Sequence, residues 1–268
     1  MKQIPNLFTL LNLIFGCIAI VFILQTSQSL VIYNETLHTY DPLFPEKMGW
    51  GALFIFFAAI VDFLDGFLAR LLKAESKMGK QLDSLSDVVS FGVAPGMILY
   101  QLLRLGFARE ENGLDVSFMA LLPAFVFPAA VAWRLAKFNI SSDQSHHFRG
   151  VPSPAAGLVV ASFPLIIWYQ SMNVQRYFIE VWILYGVIAI LSYLMLSNRR
   201  FLAMKFRSLA WKDNMWTYLL LLVSAALIPI LGWLSVPAIF VLYVLISFLA
   251  KGSDTPENRG PETLDVTV

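Results

Sequence analysis

The chain has 268 residues, of which 58% are hydrophobic and 14% charged, and its mean hydropathy is +0.69. That balance excludes an ordinary soluble globular domain; the net charge of +1 hides an uneven distribution of basic residues and by itself says nothing about nucleic acid, and no nucleic-acid partner is expected. The single cysteine, Cys17, excludes an intramolecular disulfide and reads as a buried structural thiol.

About 20 helical residues cross the hydrocarbon core of a bilayer, and apolar runs of that length recur along the chain. In chain order they are expected at roughly 5–25, 48–72, 86–104, 118–138, 151–170, 178–197, 215–231 and 233–250. The fold class is therefore all-α, a polytopic transmembrane bundle of about eight spans within one integral membrane domain over 1–250. The first run is too long for a secretory signal and lacks a small-residue cleavage site. The polar loop 26–47 reads as a simple connector. "SNRRFLAMKFRSLAWKDN", 197–214, spaces Leu202, Phe206 and Leu209 helically among basic residues. It is either an in-plane helix on an anionic leaflet or a solvated loop. The remainder, 251–268, is rich in Gly, Pro and charge and is expected to be a disordered tail.

Counting Lys and Arg by loop sets the orientation. With both termini in the cytoplasm, fifteen of the nineteen fall on the inner side, and only Lys47, Arg104, Arg109 and Arg176 on the outer. A multi-pass protein of the cell inner membrane is expected. Trp50, Trp133 and Trp211, near span ends, read as interfacial anchors.

Against this apolar background stands "VDFLDGFLARLLKAESKMGKQLDSLSDVVSFG", residues 61–92. Asp62 and Asp65 lie three apart near the inner end of the second span, and Asp83 and Asp87 lie four apart at the inner start of the third. Each pair shares one helical face. The short turn between makes the helices antiparallel neighbours, so two acidic faces meet beneath the cytoplasmic surface. An ionisable residue at membrane depth costs roughly 2.5–3.5 kcal/mol on insertion scales and is a functional signal. Four clustered carboxylates cannot all stay ionised without compensation by protons or divalent cations. With no His or Cys nearby, the all-oxygen set suits Mg²⁺ or Mn²⁺ rather than Zn²⁺, and two such ions would form a clamp for phosphoryl transfer. Gly66 and Gly79 leave room for a nucleotide, and Arg70 offers a fork to a pyrophosphate oxygen. Plain ion pairing of the aspartates with Arg70 and Lys73 is the bland alternative.

The same residues fit D-x2-D-G-x2-A-R-x8-G-x3-D-x3-D at every position: Asp62, Asp65, Gly66, Ala69, Arg70, Gly79, Asp83 and Asp87. This is the signature of the CDP-alcohol phosphatidyltransferases, and the chain resembles that family. "IPNLFTLLNL", "SDVVSFGVAP", "RLAKFN" and "FRGVPSPAA" are similar to stretches of its membrane-embedded bacterial phosphatidylserine-synthase branch, so that the resemblance covers residues 4 to 160. In relatives that use glycerol phosphate, Pro would follow the third aspartate and Lys the fourth; here Ser84 and Val88 stand there. Lys137 occupies a place where the branch usually has Arg.

The resemblance implies transfer of the phosphatidyl group of CDP-diacylglycerol to the hydroxyl of L-serine, giving phosphatidylserine and CMP, at a site facing the cytoplasm. It implies Asp62, Asp65 and Asp83 as metal ligands, with Asp87 touching a second ion and serving as general base. Asn6, Gly66, Ala69, Arg70 and Gly79 are implied to bind the cytidine diphosphate, and a homodimer is implied as well. A serine pocket needs a cation, and Arg134, Arg149 and Ser90 are the acceptor candidates; Arg134 and Lys137 read equally well as positive-inside anchors. Ser153 in "GVPSPAAG" is either a substrate contact or part of a Pro-capped helix start. His146 and His147 read as surface residues. Glycerol 3-phosphate or inositol phosphate as acceptor is the near rival, and an ion-coupled transporter the distant one.

Overall fold

The computed structural model describes residues 4–25, 31–34, 39–42, 44–72, 76–109, 116–140, 150–169, 172–199, 201 and 215–249. Among the described residues, five helical stretches are long and apolar enough to cross a membrane: Pro5–Leu24, Glu46–Leu71, Lys77–Phe107, Phe118–Ile140 and Met215–Leu249. Ser153–Tyr169 and Val181–Leu196 are shorter apolar helices. The last of the five turns back on itself, so the expected eight spans each find a helical counterpart.

Helix α1 (Ile4–Leu24) packs lengthwise on α2 (Glu46–Leu71). Between them, β1 (Val31–Asn34) and β2 (Thr39–Pro42) pair antiparallel in the register Val31↔Pro42 to Asn34↔Thr39. This corrects the reading of 26–47 as a plain connector. The β-branched and aromatic residues of "VIY" and "TY" favour an extended pair, a preference that the polarity of the loop conceals. Helix α3 (Lys77–Asp87), a π-helical segment (Val88–Val93) and α4 (Ala94–Phe107) run on as one helix. It starts at Lys77 rather than near 86, because the Ser76 side chain caps it by accepting from the Gly79 N–H at 2.9 Å. Polar first turns of this kind escape a search for apolar residues.

The fourth crossing is broken by Pro123. Helix α5 (Phe118–Leu121) passes through a 3-10 turn (Leu122–Phe125) into α6 (Val126–Ile140), as expected where proline removes a backbone donor. Next come α7 (Ser153–Tyr169), a short α8 (Met172–Ile179) and α9 (Val181–Leu196). Helix α10 (Met215–Leu231) reverses through the 3-10 turn Gly232–Leu234, where Gly232 takes φ +54°, into α11 (Ser235–Leu249). That left-handed backbone favours glycine. Helices α10 and α11 pack against each other as a hairpin.

The centre of the bundle is the α3–α4 helix with α7. In the most apolar window of Lys77–Phe107, 67% of residues are buried, against 11% for the C-terminal hairpin, which lies at the periphery. Phe91, Ile98, Leu99 and Leu102 meet Ala156, Val160 and Leu165 in a single core. A β-carbon at Gly157 would lie 3.0 Å from the Phe91 carbonyl oxygen and 3.1 Å from its Cα, so the two backbones touch there, as small residues permit in membrane bundles. Cys17 is exposed, which corrects its expected burial. It shares an outward stripe with Ile14 and Val21, a face suited to lipid.

A Gly157→Leu substitution should lower stability by about 1–3 kcal/mol through overpacking. Gly186 has nothing within 4 Å of its would-be β-carbon, so Gly186→Ala should be neutral or stabilising by up to about 1 kcal/mol. Thermal unfolding of the two variants in detergent checks the pair.

Candidate active site

The four motif aspartates sit at one end of the bundle, where α2, α3 and the first turns of α1 meet. Carboxylate oxygens of Asp62, Asp83 and Asp87 all lie within 4.8 Å of one another. The i,i+3 and i,i+4 spacings aim these side chains off neighbouring helices towards one point. Asp65 is buried and turned towards α1, where the Thr9 hydroxyl donates to its Oδ2 at 2.7 Å. It remains within electrostatic range of Asp83 and Arg70.

Helix α1 contributes more than packing. Asn12, fully buried, donates from Nδ2 to Asp87 Oδ1 at 3.3 Å. Its own Oδ1 is buried and finds no partner among the described residues. The orientation of the amide follows from charge, because a carboxylate accepts and only the NH₂ end can donate. Two hydroxyls fix the register of the seam: Ser86 donates to the Thr9 carbonyl at 3.1 Å and Ser90 to the Asn12 carbonyl at 3.0 Å. The wide turn of the π segment begins directly after Asp87. It shifts the phase between the acidic face of α3 and the apolar faces of α4, so one continuous helix serves both site and core.

The expected nucleotide residues lie at the same end. A β-carbon at Gly79 would sit 3.0 Å from both Asn6 Oδ1 and Ser76 Oγ, which places the Asn6 side chain against the start of α3. At Gly66 it would meet only Arg70 Nη1, at 3.5 Å. That side of α2 is therefore open, with Ala69 half-buried and Arg70 exposed beside it.

Among the acceptor candidates, Arg134 on α6 donates from Nη1 to Ser153 Oγ at 2.8 Å. Its Nε is buried without a partner among the described residues, and Asp87 lies within its electrostatic range. Ser153 opens α7 between Pro152 and Pro154, so it is a helix start and a polar contact at once. Ser90 is fully buried, and its hydroxyl serves the α1 seam. Arg149, His146 and His147 lie outside the described residues, as do most of 197–214, Trp211 and the tail 251–268. Lys137 is exposed and donates to Asn198 Oδ1 at 2.7 Å, tying α6 to the end of α9. Asn139 donates to Ser84 Oγ at 2.8 Å, tying α6 to α3.

Thr9 and Asn12 were not anticipated as site residues. The signal was present: Asn6, Thr9 and Asn12 recur every third residue in an otherwise apolar helix, and so share one face.

Three convergent carboxylates offer hard oxygen donors, which fit a divalent cation such as Mg²⁺ or Mn²⁺. Fold and site together define a multi-pass membrane protein with a carboxylate cluster able to hold a metal ion at the bundle's end. The family model for CDP-alcohol phosphatidyltransferase matches residues 2–194, and the chain belongs to that family. It is 34% identical over 196 residues to the CDP-diacylglycerol–serine O-phosphatidyltransferase of Helicobacter pylori (strain J99), covering 71% of this chain and 76% of the relative. The enzyme of the same name from Bacillus subtilis (strain 168) is 36% identical over 165 residues, 61% of this chain and 77% of the relative. The archaetidylserine synthase of Methanothermobacter thermautotrophicus is 31% identical over 129 residues, 47% of this chain and 51% of the relative. The acidic cluster accords with the general metal dependence of this family.

An Asp83→Asn variant should lose the thermal stabilisation that millimolar Mn²⁺ gives the parent protein. Without metal it should unfold at the same temperature or higher, because one of several crowded like charges is gone. Melting curves with and without Mn²⁺ read both effects.

Proposed function

We propose that this protein transfers the phosphatidyl group of CDP-diacylglycerol to the hydroxyl of L-serine, forming phosphatidylserine and releasing CMP. One observation carries the reading: Asp62, Asp83 and Asp87, set in a complete family motif, converge within 4.8 Å. The names of the relatives support serine as the acceptor.

Serine's hydroxyl oxygen attacks the phosphorus that bears the diacylglycerol, the bond from that phosphorus to the CMP oxygen breaks, and the hydroxyl proton must leave. Phosphoryl transfer needs positioning and charge neutralisation more than covalent help. Asp62, Asp65, Asp83 and Asp87 would hold Mg²⁺ or Mn²⁺, in our reading two ions, which when bound neutralise charge at the pyrophosphate. Asp87 takes the proton, and Asn12, donating to its Oδ1, holds the carboxylate in place for that role. Asn6, Gly66, Ala69, Arg70 and Gly79 form the cytidine diphosphate side, where the open flank of Gly66 admits the nucleotide and Arg70 meets a phosphate oxygen.

Arg134 receives the carboxylate of serine. Ser153 holds one end of its guanidinium, and its buried Nε is a donor awaiting an acceptor. Arg149 is a second cation for the same group, and Ser90 acts by holding Asn12 in register. The distribution of Lys and Arg supports a site and both termini in the cytoplasm, with the bundle in the inner membrane. Residues 1–250 form one domain, and by family likeness the protein works as a homodimer. Glycerol 3-phosphate and inositol phosphate are disfavoured, as their phosphates call for a larger cationic cluster. An ion-coupled transporter leaves Gly66, Arg70 and Gly79 without a role.

The test is to incubate membranes with CDP-diacylglycerol, Mn²⁺ or Mg²⁺ and labelled serine, following CMP release and lipid labelling. Serine-dependent release is expected; release only with another alcohol would overturn the acceptor. Asp87→Asn should lower turnover by about 100-fold or more while keeping affinity for the CDP-lipid, and a near-parental rate would remove Asp87 as the base. Asp65→Asn should weaken metal-dependent nucleotide binding, measured by titration with CMP.

A further inference from the structure

Four buried side-chain polar atoms have no hydrogen-bond partner among the described residues: Asn12 Oδ1, Arg134 Nε, Asn139 Oδ1 and Ser192 Oγ. Such atoms are few in native structures, and each calls for an explanation. Arg134 Nε is a donor and suits a carboxylate. The two amide oxygens are acceptors, the complement of a cation that carries hydrogens.

The two amides differ in what holds them. Asn139 donates from Nδ2 to Ser84 Oγ at 2.8 Å, a tie between α6 and α3. Asn12 donates from Nδ2 to Asp87 Oδ1 at 3.3 Å, so its unpaired oxygen shares an amide carbon with the nitrogen that grips the proposed base. Asn12 is 0% exposed, and the Ser90 hydroxyl holds its backbone carbonyl at 3.0 Å. Backbone and NH₂ group are both engaged, and the side-chain oxygen alone is left over. The end of the amide that meets the carboxylate cluster is the NH₂ group, which does not ligate a metal ion. The oxygen is turned off that contact, to the side where a substrate engaging Asp87 has its remaining groups.

The hydroxyl and the ammonium of serine stand on neighbouring carbons. A substrate whose hydroxyl reaches Asp87 therefore brings its ammonium beside the amide that already touches Asp87. Its carboxylate, on the carbon that bears the ammonium, is free to meet a separate cation.

We propose that Asn12 is a specificity-determining residue: its Oδ1 accepts a hydrogen bond from the ammonium of the amino-acid substrate while its Nδ2 holds Asp87. This rests on the reading of serine as the acceptor and of Asp87 as the base. An alcohol without an ammonium leaves the amide oxygen buried and unpaired, so a polyol is rejected by what it fails to satisfy.

The experiment follows incorporation of labelled serine into lipid by the full-length protein, with 3-hydroxypropionate as competitor. That compound keeps the hydroxyl and carboxylate of serine and lacks the ammonium. The parent should bind it about tenfold more weakly than serine, the size of a lost hydrogen bond to a charged group. In Asn12→Ala the serine KM should rise about tenfold, while the inhibition constant of 3-hydroxypropionate stays at the parent value. Turnover should fall too, because Asp87 loses its donor, but the ratio of the two constants does not depend on that loss. If both constants rise together, or turnover alone falls, Asn12 only positions Asp87 and the proposal is overturned. A higher Mn²⁺ requirement at an unchanged serine KM would make the oxygen a metal ligand and overturn it as well. Where Asn12→Ala does not fold, the parent decides: weaker binding of 3-hydroxypropionate than of serine supports the proposal, and equal binding overturns it. A parent that incorporates no serine overturns the acceptor reading itself and the proposal with it, whereas the other outcomes leave that reading standing.

Discussion

Everything at the site depends on holding like charges together at the end of a membrane bundle. Carboxylates of Asp62, Asp83 and Asp87 repel one another when ionised, although Asp62 stands within hydrogen-bonding reach of both Asp83 and Asp87. A further constraint comes from α1. Its Thr9 and Asn12 side chains donate to Asp65 and Asp87, and its backbone carbonyls accept from Ser86 and Ser90. Buried polar groups are tolerated when satisfied and expensive when not, so these four bonds fix the helix register from both sides. The exception is Asn12 Oδ1, which stays unpaired among the described residues. A fold selected for stability alone would place leucine there. A cost of this kind marks a position kept for what the amide does to Asp87.

The rest of the bundle is arranged around that seam. Helices α4 and α7 supply the apolar centre, and the contact of Gly157 with Phe91 brings α7 close enough for Ser153 to meet Arg134. Polar ties from α6, through Asn139 to Ser84 and Lys137 to Asn198, sit on the same end. The opposite end carries its own smaller polar contacts, Gln101 to the Ile23 carbonyl and Arg104 to Gln101, which satisfy buried groups without assembling a cluster. Among the described residues the acidic side chains thus converge at one end of the bundle, while the helices run along its length.

Much of this was legible in the amino-acid order. Periodic apolar runs located the helices, and the eight motif positions, Asp62 to Asp87, located the site, because spacing of three and four on a helix is a statement about faces. What escaped has physical causes. The strand pair of Val31–Asn34 with Thr39–Pro42 was hidden by a polar loop composition, and the start of α3 at Lys77 by the polarity of its first turns. Outward-facing Cys17 misled because, in a membrane, a small apolar side chain is as content against lipid as in a core. Thr9 and Asn12 were visible as a three-residue period but had no assigned partner until α1 was seen to lie along α3. Ser90 looked like a pocket residue, since a hydroxyl near the motif does not reveal whether it faces a cavity or a neighbouring helix.

Helix α1 also carries Asn6, against Gly79, on the same face as Thr9 and Asn12. These three side chains span under two turns of one α-helix, a length that behaves as a stiff rod. Any tilt of α1 caused by a nucleotide seated at Asn6 would therefore be transmitted as a lever arm to Asp65 and Asp87 together. On the proposed reading, occupancy of the nucleotide side and the aim of Asp87 would be mechanically geared, and the order in which two substrates arrive would acquire a structural meaning.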